Sequence, residues 1–207
     1  MAEPLILQDI TIKRGSDPLL RVDARIAPGA VLSVMGPSGS GKSTLLAFLT
    51  GTLSREFSAT GRVLVGARNI TNLPTHQRRI GILFQNDLLF PHMSVGENLA
   101  FGLTPGPDRA DRIAAALAEI ELPGFEHRDP ATLSGGQKAR VALMRMLLSE
   151  PCALLLDEPF AGLDPALRTQ IRALVFERAK ARGLPVLMVT HDAEDAEAAG
   201  GDILRIG

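Results

Sequence analysis

Met35-Gly36-Pro37-Ser38-Gly39-Ser40-Gly41-Lys42-Ser43-Thr44 is the stretch on which the rest of this chain turns. Gly36 through Ser43 fits the spacing G-x-x-x-x-G-K-[ST], in which the backbone N–H groups of a glycine-rich loop wrap the phosphates of a nucleotide. Glycine lets such a loop take positive φ and approach an anion with no Cβ in between. Lys42 is expected to reach the β- and γ-phosphates as a point charge, and the Ser43 hydroxyl to ligate Mg2+. An ordinary glycine-rich turn would carry the same letters, so the flanks decide. Residues 30–35 (Ala-Val-Leu-Ser-Val-Met) are a short apolar run of strand type. Residues 43–50, with Leu45, Leu46, Phe48 and Leu49, predict a helix that Gly51 stops. Strand, glycine loop and helix is the order that aims a helix N-terminus, with its dipole, at phosphate. The expected phosphate-binding set is therefore Gly36, Pro37, Ser38, Gly39, Ser40, Gly41, Lys42, Ser43 and Thr44.

A chain of 207 residues can bury a sizeable core, as one large domain or a core with a small subdomain. The 22 basic and 23 acidic residues leave a net charge of −1, so no global field favours nucleic acid and none is expected as a partner. Apolar residues make up 45% of the chain, yet no run approaches the ~20 residues of a membrane span. Met1-Ala2-Glu3-Pro4 lacks the basic start and apolar block of a signal peptide. With Cys152 as the single cysteine, no internal disulfide can form, which fits a reducing cytosol. The expectation is a soluble intracellular protein that attaches to something in a membrane.

Outward from the loop, residues 5–13 alternate, with Ile6, Gln8, Ile10 and Ile12 set against Leu5, Leu7, Asp9 and Thr11, and read as a strand. Residues 19–26 read as another, and Pro28-Gly29 turns the chain into the strand that feeds the loop. Residues 61–65 and 79–84 are strand-like as well. Closely spaced early strands suggest an antiparallel layer beside a parallel core. Gln85 ends the run Ile80-Gly81-Ile82-Leu83-Phe84. At a strand's C-terminal end it suits an active-site crevice, or else it is plain polar punctuation. From residue 87 to about 150 helical signals replace strand signals. Ser94-Val95-Gly96-Glu97 is a capping box, and Asp108 is expected to cap a second helix with Ile113, Leu117 and Ile120 on one face. Leu88, Leu89, Phe90, Pro91 and Met93 form an apolar cluster that is either internal packing or a docking groove.

Leu133-Ser134-Gly135-Gly136-Gln137 opens another helix, and Ser134 with Gln137 is again a capping box. Two glycines at first helical positions cost propensity, roughly 1 kcal/mol each against Ala. They make sense if the backbone there must approach an anion, as a second phosphate-binding helix end. Cys152-Ala153-Leu154-Leu155-Leu156-Asp157-Glu158 is a buried-strand run ending in two carboxylates. Asp157 is placed to hold Mg2+ beside the phosphate loop, and Glu158 to take a proton from an attacking water. Asp164 is expected to cap a helix with Pro165 at its first position, running to about Arg182. Residues 185–190 are another buried strand, with His191 at its C-terminal end, where a parallel sheet places its chemistry.

The loop at 36–43, Gln85, the 133–137 element, 154–158, 162–164 and His191, in this order, resemble the ATP-binding cassette ATPases over nearly the whole chain. The Leu-Ser-Gly-Gly-Gln element separates that family from other phosphate-loop NTPases. Arg79-Ile80-Gly81-Ile82-Leu83-Phe84-Gln85 and Leu88-Leu89-Phe90-Pro91-His92 look like bacterial importer subunits, and Asp129-Pro130-Ala131-Thr132-Leu133 with the compact end resembles relatives of the thiamine and iron(III) importer ATPases. The resemblance implies an α/β fold, a P-loop NTPase with a RecA-like parallel core, an antiparallel β subdomain and an inserted α-helical subdomain. All of it would form one domain over 1–207, with 1–86 and 151–207 as core and 87–150 as the helical part. It implies an ATPase using ATP and Mg2+, working as a head-to-tail homodimer with two ATPs between subunits. Lys42 and Ser43 of one subunit would face Ser134, Gly135, Gly136 and Gln137 of the other. Glu158 would be the general base, His191 would hold the γ-phosphate and water, and Asp157 with Ser43 would hold Mg2+. Gln85 would sense Mg2+ and the attacking water, and Asp164 would couple the two sites. The surface between Asp87 and Leu99 would receive a cytoplasmic helix of a membrane permease, with a substrate-binding protein as a further partner. The chain would then sit peripherally on the cytoplasmic face of the inner membrane.

One departure concerns the base. The family usually stacks adenine on an aromatic residue ahead of the phosphate loop, but here that region reads Ile12-Lys13-Arg14-Gly15, and no aromatic precedes Phe48. The planar guanidinium of Arg14 is the expected substitute. The rival readings are a soluble cassette ATPase acting on nucleic acid or ribosomes, and a phosphate-binding module without turnover. Balanced charge, a single cassette and the lack of a cysteine cluster stand against the first.

Overall fold

The computed structural model describes residues 2–84 and 89–207; Gln85 and Asp87 lie outside the described residues. In chain order the elements are β1 (Leu5–Arg14), β2 (Asp17–Ile26), β3 (Val31–Met35), α1 (Lys42–Thr50), β4 (Phe57–Val65), β5 (Arg68–Asn69), α2 (Thr75–Arg78) and β6 (Ile80–Leu83). They continue with α3 (Val95–Gly102), α4 (Arg109–Glu119), α5 (Gly135–Leu148), β7 (Ala153–Asp157), α6 (Pro165–Ala181), β8 (Val186–Thr190), α7 (Ala193–Ala199) and β9 (Asp202–Arg205). The strands form a four-stranded sheet in the order β2-β1-β4-β5 and a five-stranded sheet in the order β6-β7-β8-β3-β9. The first is antiparallel, while β7, β8, β3 and β9 run parallel. This is the antiparallel layer and parallel core that the closely spaced early strands predict.

The central strands earn their place by being apolar throughout. Every residue of β3 and of β8 is buried, as expected of parallel strands covered on both faces. Their register sets the functional edge. Met35 lies opposite Thr190, and Asp157 opposite Val189, so β3, β7 and β8 leave the sheet at nearly the same level.

β1 departs from the alternation expected of it. Leu5, Leu7, Ile10 and Ile12 are all buried, so the strand changes face part-way along. A bulge makes the change: pairing slips between Leu7 and Ile10 against β2, and between Gln8 and Thr11 against β4, with Asp9 at φ 49°. The expected face of Ile6, Gln8, Ile10 and Ile12 is thereby corrected. Across the bulge sits Gly61 at φ 103°, where a Cβ would lie 2.6 Å from the Asp9 carbonyl oxygen. A glycine in that role is a strand interior residue, which is why β4 begins at Phe57 and not at 61.

Two compact units share the chain. One (Met1–Ile82, Cys152–Glu158 and Phe176–Gly207) holds the antiparallel layer and all of the parallel sheet but Leu83. Its core joins Leu5 and Ile12 of β1, Leu45 and Leu49 of α1, Leu155 of β7 and Val189 of β8. The other (Leu83–Pro151 and Pro159–Val175) is helical in its described residues. Its core takes Val95 and Leu99 from α3, Leu117 from α4 with Ile120 just after it, and Val141 and Met144 from α5. α3 and α5 open in the capping boxes expected from Ser94 with Glu97 and Ser134 with Gln137. Asp108 stands at the N-cap position of α4, but its side chain makes no capping bond.

The bulge can be tested directly. Gly61→Ala would force an L side chain to φ 103° against the Asp9 carbonyl, and should cost about 1–3 kcal/mol. For a chain of this size each kcal/mol lowers the thermal midpoint by about 2–4 °C. Gly15→Ala, at φ 61° with nothing within 4 Å of the new Cβ, should cost less. Equal shifts for the two variants would contradict the account.

Candidate active site

The phosphate-type loop is clamped at both ends. Behind Gly36, the Ile206 N–H donates to the Met35 carbonyl at 2.8 Å. A Cβ on Gly36 would collide with the Ile206 carbonyl oxygen. At the far end Gly41, at φ 93°, is the N-cap of α1, and a Cβ there would strike Leu19 and Leu20 at 2.6–3.0 Å. Both clamps are tertiary, and nothing in the local sequence names Ile206, Leu19 or Leu20 as the partners.

No side chain caps α1, and its first turn carries no acid. α4 also lacks a side-chain cap, but has Asp111 in its first turn. Leu45 is the first residue of α1 whose N–H finds a carbonyl within the turn, Gly41 O at 2.8 Å. The N–H groups of Lys42, Ser43 and Thr44 precede it and have no intrahelical acceptor. Lys42 is only 7% exposed. Its Nζ donates to the carbonyls of Gly36 at 2.7 Å and Pro37 at 2.9 Å. Helix N–H groups, their dipole and a sheltered ammonium at one helix start make an anion site.

The same sheet edge carries the acids. Asp157 closes β7; burial raises its carboxyl pKa, the charge of Glu158 raises it further, and Lys42 pulls it back down. Glu158 follows at φ 46°, a left-handed conformation that a long acid rarely adopts. Its N–H donates to the Val189 carbonyl at 3.0 Å, and its Oε2 lies 3.0 Å from His191 Nδ1. The Glu158 side chain is 25% exposed and that of His191 is 64% exposed, so the acid is sheltered while the imidazole reaches solvent. The turn after β8 is fixed by Asp192, whose N–H donates to Thr190 Oγ1 at 3.0 Å. The loop, Asp157, Glu158 and His191 thus converge; Gln85 lies outside the described residues.

In the helical unit, Gln137 N–H donates to Ser134 Oγ at 3.3 Å, and Ser134 N–H donates to Gln137 Oε1 at 3.0 Å. The serine hydroxyl keeps its own proton to donate elsewhere. The two glycines that follow differ. A Cβ on Gly136 would collide with Leu167, whereas one on Gly135 would meet nothing within 4 Å. Packing therefore accounts for Gly136, and no contact within the described chain accounts for Gly135. Asp164 caps α6, with Oδ1 accepting from Leu167 N–H at 3.0 Å and its carbonyl from Arg168 N–H at 2.8 Å. Leu167 is what Gly136 touches, so the Asp164 turn abuts the start of α5. Sequence reasoning had no signal for Leu167.

Arg14 ends β1 directly opposite Phe57 on β4. Its Nη2 lies 3.1 Å from Glu56 Oε2, and its guanidinium carbon 6.0 Å from the Phe57 ring centroid. Phe57 is an aromatic neighbour that a search ahead of the loop cannot find, because antiparallel pairing delivers it from β4. As to a metal, Ser43 and Asp157 offer the hard oxygens that Mg2+ takes, and Mg2+ needs only one or two protein groups when phosphate and water complete its shell. Among the described residues no group of three or more His, Cys, Asp or Glu forms a cage of its own.

Known proteins resemble this chain in sequence. One family, described as ABC transporter, matches residues 19–161. An uncharacterised ABC transporter ATP-binding protein of Escherichia coli (strain K12), YnjD, is 46% identical over 198 residues, covering 94% of this chain and 91% of the relative. The thiamine import ATP-binding protein ThiQ of Cereibacter sphaeroides is 47% identical over 197 residues, 93% of this chain and 83% of its own. The Fe(3+) ions import ATP-binding protein FbpC of Brucella abortus (strain 2308) is 39% identical over 202 residues, 95% of this chain and 56% of its own.

The raised pKa of Asp157 has a consequence for stability. A carboxyl that holds its proton more tightly in the folded chain than in the unfolded one costs stability above its folded pKa, and the cost fades as pH falls to ~4 and below. Asp157→Asn should therefore raise the thermal midpoint of the nucleotide-free protein at neutral pH, with the gain shrinking on acidification. A lowered midpoint at neutral pH would contradict this.

Proposed function

This chain belongs to the ABC transporter family, and we propose that two copies of it, head to tail, grip two ATP molecules between them and drive import through a membrane permease. It is the ATP-binding, ATP-hydrolysing subunit of a transporter. The observation that carries the two-copy reading is Gly135, a glycine at an exposed helix start that no contact within the described chain requires. In a chain that already owns one anion-binding helix end, α1, a second exposed one serves a phosphate held by another copy.

Each residue then has a task. The N–H groups of the 36–44 loop cradle the β- and γ-phosphates, and Lys42 exchanges the Gly36 and Pro37 carbonyls for phosphate oxygens. Ser43 and Asp157, with Gln85, would hold Mg2+, which would neutralise charge on the phosphate oxygens. Glu158 accepts the proton of the attacking water at its carboxylate. His191 Nδ1 holds that carboxylate in place and leaves Nε2 for the γ-phosphate and the water. Ser134, Gly135, Gly136 and Gln137 of the second copy close over the same phosphate, and Asp164 links the two sites. Arg14, with Phe57 behind it, supplies a flat face for the base.

The relatives are named for the import of thiamine, Fe(3+) ions and sulfate or thiosulfate, so one catalytic chain design serves several cargoes. Cargo choice accordingly rests with a permease and a substrate-binding protein. Among the described residues no helix is long and apolar enough to cross a membrane. The chain works peripherally, on the cytoplasmic face of the inner membrane, with the permease docked between Asp87 and Leu99.

Two measurements test the reading. Glu158→Gln should bind ATP as the wild type does, while phosphate release falls by about 10²–10⁴-fold. Wild-type turnover in that variant overturns the assignment. Gly135→Ala should leave the fold as stable as wild type or up to ~1 kcal/mol more stable, through helix propensity, but reduce turnover. Gly136→Ala must displace the Leu167 side chain, so it should be less stable than Gly135→Ala. Identical behaviour of the two glycine variants contradicts the division of roles.

A further inference from the structure

Asn98, in the middle of α3, is 0% exposed, and every polar group of its side chain is engaged. Its Nδ2 donates to the carbonyls of Phe90 and Met93 at 3.1 Å and of Ser94 at 3.0 Å. Its Oδ1 accepts from Phe90 N–H at 2.8 Å and from Arg145 Nη1 at 3.1 Å. By taking both the N–H and the C=O of Phe90, this carboxamide does for the segment what a neighbouring strand would. Arg145 arrives from α5, its guanidinium carbon 4.7 Å from the Phe90 ring centroid. α3 and α5 are pressed together beside it, since a Cβ on Gly102 would collide with the Arg145 carbonyl oxygen. Phe90 in turn packs edge-on against Phe101 at 4.8 Å, and Phe101 is 67% exposed. One buried polar node therefore joins a surface aromatic, the 89–94 segment, α3 and α5. The N-cap of α5, Ser134, stands about 16 Å along the helix axis from Arg145.

We propose that Asn98 and Arg145 are positioning residues that make the outer aromatic surface and the N-terminus of α5 move as one body. This rests on the docking of a permease between Asp87 and Leu99 proposed above. Left to itself, a segment without ladder hydrogen bonds absorbs a push by bending. Here it cannot bend without stripping the buried Asn98 carboxamide of several hydrogen bonds at once, which is costly. A load applied by the permease at Phe101 and the 89–94 segment is instead delivered to Ser134, and so to the γ-phosphate that Ser134 serves. An aspartate in place of Asn98 would keep the shape but turn a carboxylate oxygen toward three carbonyls with nothing to donate.

The test uses the whole chain, alone and in complex with the permease that co-purifies with it. Arg145→Met keeps the packing on Phe90 and removes the donor to Asn98; Asn98→Asp removes the donors to 90, 93 and 94. Both complexes should still form, with KM for ATP near wild type, while stimulation of turnover by the permease falls roughly 2- to 30-fold. Intact complexes with wild-type stimulation in both variants overturn the inference. Should Asn98→Asp fail to fold, Arg145→Met alone decides. If the wild-type chain retains no permease, the docking reading has failed, and hydrogen exchange on the isolated chain judges the link itself. Arg145→Met must then speed exchange in 89–94 and in the first turn of α5 together. Faster exchange confined to 89–94, or none at all, overturns it.

Discussion

A helix that begins inside a folded chain leaves N–H groups that its own turns cannot use, and where those groups go governs much of this molecule. α3, α5 and α7 are capped by Ser94, Ser134 and Asp192, and α6 by Asp164. α1 alone among the helices flanking the parallel strands begins on a left-handed glycine with no capping side chain and a buried lysine beside it. Its start is built to be completed by an anion from outside the chain. The contacts at Gly36 and Gly41 leave no room for a side chain at either end of the loop.

The same unit gathers charges of both signs at that sheet edge, with Lys42, Asp157 and Glu158 in electrostatic reach of one another. Because β3, β7 and β8 are parallel and end level, the loop, Asp157, Glu158 and His191 share one edge without any long insertion. Lys42 offsets part of the unfavourable burial of Asp157, and a second positive charge in the form of Mg2+ would offset more. Glu158 is held at φ 46°, with its carboxylate turned to His191.

How much of this was legible depended on whether the cause was local. The loop could be read because each of its residues answers to its own neighbours: glycine for φ, lysine for charge, serine for a hard oxygen. The buried strands could be read because both faces are covered, leaving unbroken apolar runs in β3, β7 and β8. The capping boxes at Ser94 and Ser134 close within four residues and were equally plain. What escaped was tertiary. The change of face in β1 needs Gly61 from another strand; Gly136 needs Leu167 from another helix; the aromatic beside Arg14 is Phe57, brought alongside by pairing. Asn98 is the sharpest case. A lone asparagine in a helix reads as a surface residue or a weak helix former, and only the fold reveals that it binds Phe90, Met93, Ser94 and Arg145 at once.

The exposed start of α5 and the bare start of α1 make sense together if each belongs to a different nucleotide. Sedimentation velocity on the Glu158→Gln variant, with and without saturating Mg-ATP, tests that claim most directly. A single species of one chain's mass without nucleotide, doubling when Mg-ATP is added, is the predicted result. A species that keeps the mass of one chain at saturating Mg-ATP would contradict it.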